Sequence, residues 1–340
     1  MYDRSRFLQC CRLEITRRSI ILCNESCRKL KSQLKKSVKR NYTDVLLLSG
    51  GLDSSILACI LNPAMSLTIS LGQNAPDVEP ASLVAAMYSK DHKVIRLSYK
   101  RLLEIIEQLI SIFRTFDPME IRNSSVLLAG IRAAQEQGYQ NLMTGDGGDE
   151  LFAGYNYLKR YYMDLHALDD KLHKLWQSMR FSSLLIGKII GVDIKAPFLD
   201  KKFIIYTKSI GIHEKIGQYS GQTWGKFILR KCYEFKLGKQ IAWRSKSPQE
   251  EGAGITNIKD FISMNMAERD FQMGTKQALF EGVRIKDKEQ LYYYIVFRKY
   301  FPAPKDEPCL YLRCRDCKGC LLDSTTQFCH TCGAFPVNAV

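Results

Sequence analysis

Ser49-Gly50-Gly51-Leu52-Asp53-Ser54-Ser55 sets two glycines, three hydroxyls and a carboxylate between two apolar runs, Val45–Leu48 and Ile56–Ile60. The runs predict a buried strand and a helix, joined by a tight glycine turn. A strand that opens a helix through small residues aims free backbone N–H groups and the positive helix end at one spot, which suits an anion. Gly50 and Gly51 let the backbone approach a phosphate closely, and Ser49, Ser54 and Ser55 add hydroxyl donors. Asp53 would repel that phosphate unless a cation lay between them, so it is a candidate Mg²⁺ ligand. An ordinary strand–turn–helix corner with a polar tip would use the same residue types, and other segments must decide.

A second segment, Thr144-Gly145-Asp146-Gly147-Gly148-Asp149-Glu150-Leu151-Phe152-Ala153-Gly154-Tyr155, places three carboxylates among glycines. Such a cluster suits Mg²⁺ on a triphosphate, where the cation offsets the mutual repulsion. An exposed acidic loop is the bland alternative. Near the carboxyl terminus, Cys317, Cys320, Cys329 and Cys332 form C-x₂-C-x₈-C-x₂-C. Two facing knuckles of this kind make a closed tetrahedral Zn²⁺ site, structural rather than catalytic. Cys314 precedes Cys317 by the same interval, so the ligand register stays open. His330 is a weaker candidate.

The elements that must carry these residues follow from periodicity. Residues 26–42 look helical, with Leu30, Leu34 and Val38 on one face. Strands are expected at Val45–Leu48, Leu67–Leu71, Lys93–Leu97 and Gln140–Thr144. Helices are expected at Ile56–Leu61, Pro80–Ser89, Leu102–Phe113 and Ser125–Gln137. The alternation argues for an α/β fold, a parallel sheet with helices on both faces. Ligands in such sheets sit beyond the carboxyl ends of the strands, where both segments above fall. From about Leu151 the chain turns helical and rich in Tyr and Phe. The expected organisation is a basic helical segment (1–42), a central α/β domain (43–300), a linker (301–312) and a zinc ribbon (313–340).

The chain has 340 residues, 46% of them apolar, enough for a large core. Its longest apolar runs are far short of a membrane span, and Met1-Tyr2-Asp3-Arg4 does not open like a signal peptide. Twelve cysteines without an export signal suggest reduced thiols or metal rather than disulfides, and hence a cytoplasmic protein. Of the net charge of +15, residues 1–42 hold +9, from twelve Lys/Arg against three Asp/Glu. That basic head suits RNA or an acidic partner, or is simply a solvated helical face.

The first segment lacks the Lys and spacing of the Walker loop. It resembles the S-G-G-x-D-S loop of enzymes that split ATP into AMP and pyrophosphate, in the adenine nucleotide α-hydrolase-like fold. The second resembles the S-G-E-G-x-D-E-x-F-x-G-Y segment of the asparagine synthetase family, shared with β-lactam synthetases. Further matches are Phe116-Asp117-Pro118 with Ile121-Arg122, the stretch Val192–Phe203, Ile228-Leu229-Arg230, Ala242-Trp243-Arg244-Ser245-Lys246 and Gly252-Ala253-Gly254. They run in the family's order from about residue 30 to 270.

The resemblance implies that Asp53 and Asp149 hold Mg²⁺ and pyrophosphate, and that Ser49, Gly51, Ser54 and Ser55, with Gly50, cradle the phosphates. It implies that Leu48, Ile69, Ser70, Thr144 and Gly145 surround adenosine, and that Lys246 neutralises phosphate charge as an acyl-adenylate forms. Asp146 stands where the family carries a Glu that takes a proton from the attacking nitrogen, one methylene longer. Asp193 falls where an acid shapes the amino-acid pocket, and Lys195 replaces a usual Arg, which loses bidentate carboxylate binding.

Full asparagine synthetases begin with a glutaminase domain whose nucleophile is an N-terminal Cys. Only about 42 residues precede the ATP domain here, so ammonia is expected from solution or a separate amidotransferase. The simplest function is amide synthesis from an aspartate-like carboxylate. Modification of tRNA by the same ATP chemistry, with the ribbon docking RNA, is the alternative. A non-catalytic binding protein fits less well, since Asp53, Asp149, Glu150 and Lys246 are all kept.

Overall fold

The computed structural model describes residues 17–178, 180–310, 312–321 and 327–337. Five strands form one parallel sheet: β1 (Val45–Leu47), β2 (Met65–Leu71), β3 (Asp91–Leu97), β4 (Asn141–Met143) and β5 (Asp193–Lys195), in the order β3-β2-β1-β4-β5. The expected strands are present, slightly shifted at their ends. β5, too short to show a period, is an addition. The winding reverses between β1 and β4, which opens a crevice at their carboxyl ends.

Alternation along the strands sends side chains to two separate cores. Val45, Leu67, Ile69 and Leu142 face α4 (Tyr99–Phe113) and α5 (Pro118–Glu136). Leu46, Leu48 and Met143 face α1 (Arg17–Arg40), α2 (Leu52–Leu61) and α3 (Val78–Tyr88). The helical second half adds α6 (Gly148–Leu151), α7 (Leu165–Ser178), α8 (Ser182–Ile190), α9 (Lys201–Lys208) and α10 (Ile212–Lys215). A hairpin follows, β6 (Ile216–Tyr219) and β7 (Gln222–Gly225), turning through Ser220 and Gly221, both at positive φ as a two-residue hairpin turn requires. Then come α11 (Phe227–Ala242), α12 (Gln249–Gly252), α13 (Ile258–Asn265), α14 (Glu268–Phe280) and α15 (Lys288–Tyr300).

Helix α1 is part of the core. Leu30 and Leu34 are fully buried, Ser37 Oγ donates to the Pro197 carbonyl at 2.6 Å, and Arg40 pairs with Asp200. Asp200 in turn caps α9 through the Phe203 N–H. The basic residues of the described part of α1 thus flank an inward apolar stripe, as the solvated-face reading requires. Residues 1–16 lie outside the described residues.

One expectation needs correction. Cys27 and Cys232 are joined by a disulfide that ties α1 to α11, and Cys309 is joined to Cys320. Folding brings each pair's Cα atoms to 5.3 Å although the first pair is 205 residues apart, a proximity no spacing rule reveals. Cysteine usage therefore gives no argument for a reducing compartment. Among the described residues no helix is long and apolar enough to cross a membrane.

The burial of α1 sets a test. Leu34→Ala should lower the unfolding free energy by about 2–5 kcal/mol in urea titration. A loss within about 0.5 kcal/mol would mean that α1 is not core.

Candidate active site and a four-cysteine group

The phosphate-type turn forms where β1 leaves the sheet. Gly50 has φ +66°, and a Cβ there would lie 2.4 Å from the Ala81 backbone nitrogen, so the turn presses directly on α3. Gly51 caps α2 without any side-chain bond, which leaves the first-turn N–H groups facing the crevice without an intrahelical partner. Ser49 and Ser54 hydroxyls lie 3.2 Å apart, and Ser54 Oγ donates to the Gly51 carbonyl at 3.2 Å. The Ser55 hydroxyl is buried with no partner among the described residues.

The acidic turn after β4 meets this loop from the other side of the crevice. A Cβ on Gly148 would sit 2.5 Å from Asp53 Cγ, so only glycine lets the two turns close together. Asp53 and Asp149 then share one cation, Lys226. Its Nζ contacts Asp53 Oδ2 and lies 2.8 Å from Asp149 Oδ1. Lys246 Nζ stands 3.4 Å from Asp149 Oδ2. Burial and the neighbouring Asp149 push the Asp53 carboxyl up, against the pull of Lys226. Burial acts the same way on Asp149, but Lys226 and Lys246 outweigh it and hold that carboxyl below its ordinary range. The two carboxylates likewise outweigh burial at Lys226 and raise it.

Asp53 Oδ1 is buried and has no hydrogen-bond partner among the described residues. Two hard carboxylates, one with an orphan oxygen, beside a helix amino end are a donor set that fits Mg²⁺ on a polyphosphate.

Lys226 was not legible as a site residue. It adjoins the Ile228-Leu229-Arg230 match but has no motif of its own. Its backbone is unusual, with φ +55°, and its N–H donates to the Phe152 carbonyl at 2.7 Å. Arg230 fixes the neighbourhood: its guanidinium donates to the carbonyls of Gly225, Ala242 and Arg244. Burial lowers its pKa to about 10. Arg244 pairs with Asp77 at 2.8 Å and reaches the Ser49 carbonyl at 3.4 Å, so the segment bearing Lys246 is bound to the phosphate-type turn.

The other expected residues are distributed as follows. Leu48 and Ile69 are buried on opposite faces of the sheet, so only their backbones are available to a nucleotide. Ser70 Oγ donates to the Gly72 carbonyl. Gly145 lies beside Asp53, where an added Cβ would be 3.3 Å from the Asp53 Cβ, and Thr144 is buried. Asp146 does not touch the carboxylate pair. Its Oδ2 accepts from Thr144 Oγ1 at 2.7 Å and from Ser183 Oγ on α8, and burial raises its pKa. Lys195 ends β5 next to Thr144 and pairs with Asp193, two residues back, at 2.5 Å; neither contacts the Lys226 cluster.

The cysteines near the carboxyl terminus gather differently from the first-choice register. Cys314, Cys317, Cys329 and Cys332 bring their sulfurs within 4.8 Å of one another, all buried. Cys320 is excluded, because it is bonded to Cys309. The reason is knuckle geometry. Lys318 N–H donates to the Cys314 carbonyl and Gly333 N–H to the Cys329 carbonyl, both at 2.8 Å. Cys314 N–H donates to Gly319 and Cys329 N–H to Ala334, at 2.9 and 3.0 Å. Lys318 and Gly333 both have positive φ. The two halves share this hydrogen-bond and turn pattern with Cys314 and Cys317 as the first pair. His330 is not in the group; its carbonyl accepts from Thr115.

Comparison with known proteins gives the following. The family model described as "Asparagine synthase" matches residues 29–188 and 186–306. The chain is 28% identical over 309 residues to Asparagine synthetase B [glutamine-hydrolyzing] of Escherichia coli K12, covering 83% of this chain and 55% of that protein. It is 27% identical over 291 residues to Asparagine synthetase [glutamine-hydrolyzing] 1 of Arabidopsis thaliana, covering 78% and 50%. The chain thus spans about half the length of the curated relatives it matches. A crystal structure of a predicted tRNA methyltransferase subunit from Methanocaldococcus jannaschii is 18% identical, covering 61% of this chain and 89% of that one. Its TM-score of 0.24 carries no argument. The four-cysteine group lies beyond the family match.

Removing the shared cation tests the site. Lys226→Met should destabilise the protein by about 3–5 kcal/mol near neutral pH, because two buried carboxylates lose their partner. The sign with pH follows. Without Lys226 both folded carboxyl pKa values rise above their unfolded values, so the folded state takes up protons and the penalty shrinks on acidification. In the parent, raised Lys226 keeps its contribution below its unfolded pKa and loses it only as pH climbs through the folded one. Thermal unfolding from pH 4 to 8 reads the carboxyl part, and a penalty independent of pH there would contradict the pairing.

Proposed function

This chain belongs to the asparagine synthase family, and we propose that it forms an amide from a carboxylate and ammonia, splitting ATP to AMP and pyrophosphate. The observation that carries the reading is the meeting of the Ser49–Ser55 turn, the Asp53–Asp149 pair and Lys226 with Lys246 at the sheet's switch point.

Carboxylate and ATP are both anions, so attack on the α-phosphorus needs positive charge between them. Mg²⁺ held by Asp53 and Asp149 would supply charge neutralisation at the pyrophosphate. Gly51 and the α2 amino end receive phosphate oxygens, and Ser49, Ser54 and Ser55 offer hydroxyls. Lys246 sits at the solvent side of Asp149 and follows charge as it moves to the leaving pyrophosphate. The backbones at Leu48, Ile69 and Ser70, with Thr144 and Gly145, border the adenosine.

Ammonia then attacks the acyl carbon, AMP leaves, and one proton must be taken from nitrogen. We assign that proton to Asp146, whose burial-raised carboxyl is oriented by Thr144 and Ser183. Lys195, with Asp193 beside it, is assigned to the carboxylate of an aspartate-like substrate. A zinc ion in the four-cysteine group would be closed to substrate and takes no step in this reaction.

The test is release of AMP and pyrophosphate from Mg²⁺-ATP, with aspartate plus ammonium in one reaction and bulk tRNA in another. Stimulation by aspartate and ammonium is expected, and stimulation by tRNA alone would replace this reading with an RNA-modifying one. Asp53→Ala and Lys246→Met should each cut AMP formation by about 10²–10³-fold while the circular dichroism stays unchanged.

A further inference from the structure

The four-cysteine module is built into the body of the enzyme. Its cysteines belong to the same apolar cluster as α4, α5 and α15. Phe116 N–H donates to the Thr331 carbonyl at 2.9 Å, and Thr115 Oγ1 to the His330 carbonyl at 2.7 Å. A Cβ on Gly333 would lie 2.3 Å from Asp117 Oδ1, so the second knuckle sits directly on the carboxyl that caps α5. From the other side, Gln290 of α15 donates its side-chain N–H to the Cys332 carbonyl at 3.0 Å.

Both elements that the module grips converge on one guanidinium. Arg122, on α5 just after the cap, donates to Glu250 at 2.5 Å and to Glu289 at 2.8 Å. Glu289 is the neighbour of Gln290 and is fixed by the Tyr293 hydroxyl. Glu250 belongs to α12, which continues toward the site. Leu71 N–H at the end of β2 donates to the Ala253 carbonyl at 2.8 Å, and Asp77 N–H to the Gly252 carbonyl at 2.9 Å. Asp77 holds Arg244, and Arg244 reaches the Ser49 carbonyl. Removing a partner from such a buried charge group is costly, so Arg122 transmits a displacement of either helix rather than absorbing it.

We propose that one zinc ion bound by Cys314, Cys317, Cys329 and Cys332 is a remote clamp on the ATP site, acting through α5, α15 and Arg122 to position the Arg244–Lys246 segment. The inference rests on the zinc reading of the four sulfurs and on the nucleotide site, but needs no particular acyl substrate. A Cys₄ tetrahedron of thiolates selects Zn²⁺ among abundant divalent ions. Binding energy at such a site is folding energy for the knuckles, which can hold their grip on Asp117 and Gln290 only while they are folded.

The experiment uses the full chain and three readouts: metal content by mass spectrometry, backbone hydrogen exchange, and Mg²⁺-ATP affinity by calorimetry. Parent and Cys320→Ser should each carry about one zinc per chain, and Cys314→Ser should lose it. In the zinc-free protein, exchange should rise in residues 115–125 and 243–257, far from the cysteines in sequence, and Mg²⁺-ATP affinity should fall on the order of tenfold. Zinc stripped from the parent by chelation gives the same comparison should Cys314→Ser fail to fold. Zinc lost in Cys320→Ser but kept in Cys314→Ser overturns the ligand set. Faster exchange confined to residues 309–337, with unchanged Mg²⁺-ATP affinity, overturns the clamp. No readout uses turnover, so failure of the amide-forming reaction would leave these results standing.

Discussion

Two carboxylates facing one another in a part-buried crevice repel, and this fold brings Asp53 and Asp149 together regardless. Lys226 makes that possible by lying between them. The rest of the second half can be read as the apparatus that holds this lysine. Gly225 packs onto Ala153, the β6–β7 hairpin delivers Gly225 and Lys226, and Arg230 locks the start of α11 to residues 242–244. The split is uneven: Lys226 and Lys246 hold the Asp149 carboxyl below its ordinary range, while burial and Asp149 keep Asp53 above its own.

The parts legible in the sequence were those with a short-range physical signature. Glycines between an apolar strand and a helix can hardly be anything but a tight turn, and Gly50 and Gly148 prove to be points of close approach, to the Pro80–Ala81 backbone and to the Asp53 carboxylate. The parallel strands β1 to β4 followed from apolar runs alternating with helical periods. Asp53 and Asp149 share Lys226, and Lys246 stands beside Asp149. Lys226 escaped because its role depends on a hairpin. Strands of four residues rich in Gly, Gln and Thr carry little alternation, and β5 has only three residues. Asp146 was legible as a carboxylate near the site. Its two hydroxyl donors were not, since Ser183 comes from a helix distant in sequence.

The cysteines teach the same lesson at two scales. Spacing alone could not choose between Cys314–Cys317 and Cys317–Cys320, because both pairs have the same interval. The choice is made by the residue after each second cysteine, which must turn left-handed for the backbone to donate back to the first. Gly333 does this easily, and Lys318 does it at φ +62°. Cys27 and Cys232 lie 205 residues apart in sequence and meet only once α1 and α11 have packed. The module's place against Asp117 and Gln290 is a tertiary fact of the same kind.

The proposed function depends on Asp53 and Asp149 forming a magnesium-dependent polyphosphate site. Isothermal titration of ATP into the full chain, with Mg²⁺ present and with Mg²⁺ removed by EDTA, tests it most directly. Binding with Mg²⁺ is expected, with a loss of affinity on the order of a hundredfold without it, since a tetraanion then meets two carboxylates that Lys226 and Lys246 offset only in part. Equal affinity in both conditions would contradict the claim, and would mean that the two lysines alone receive the phosphates.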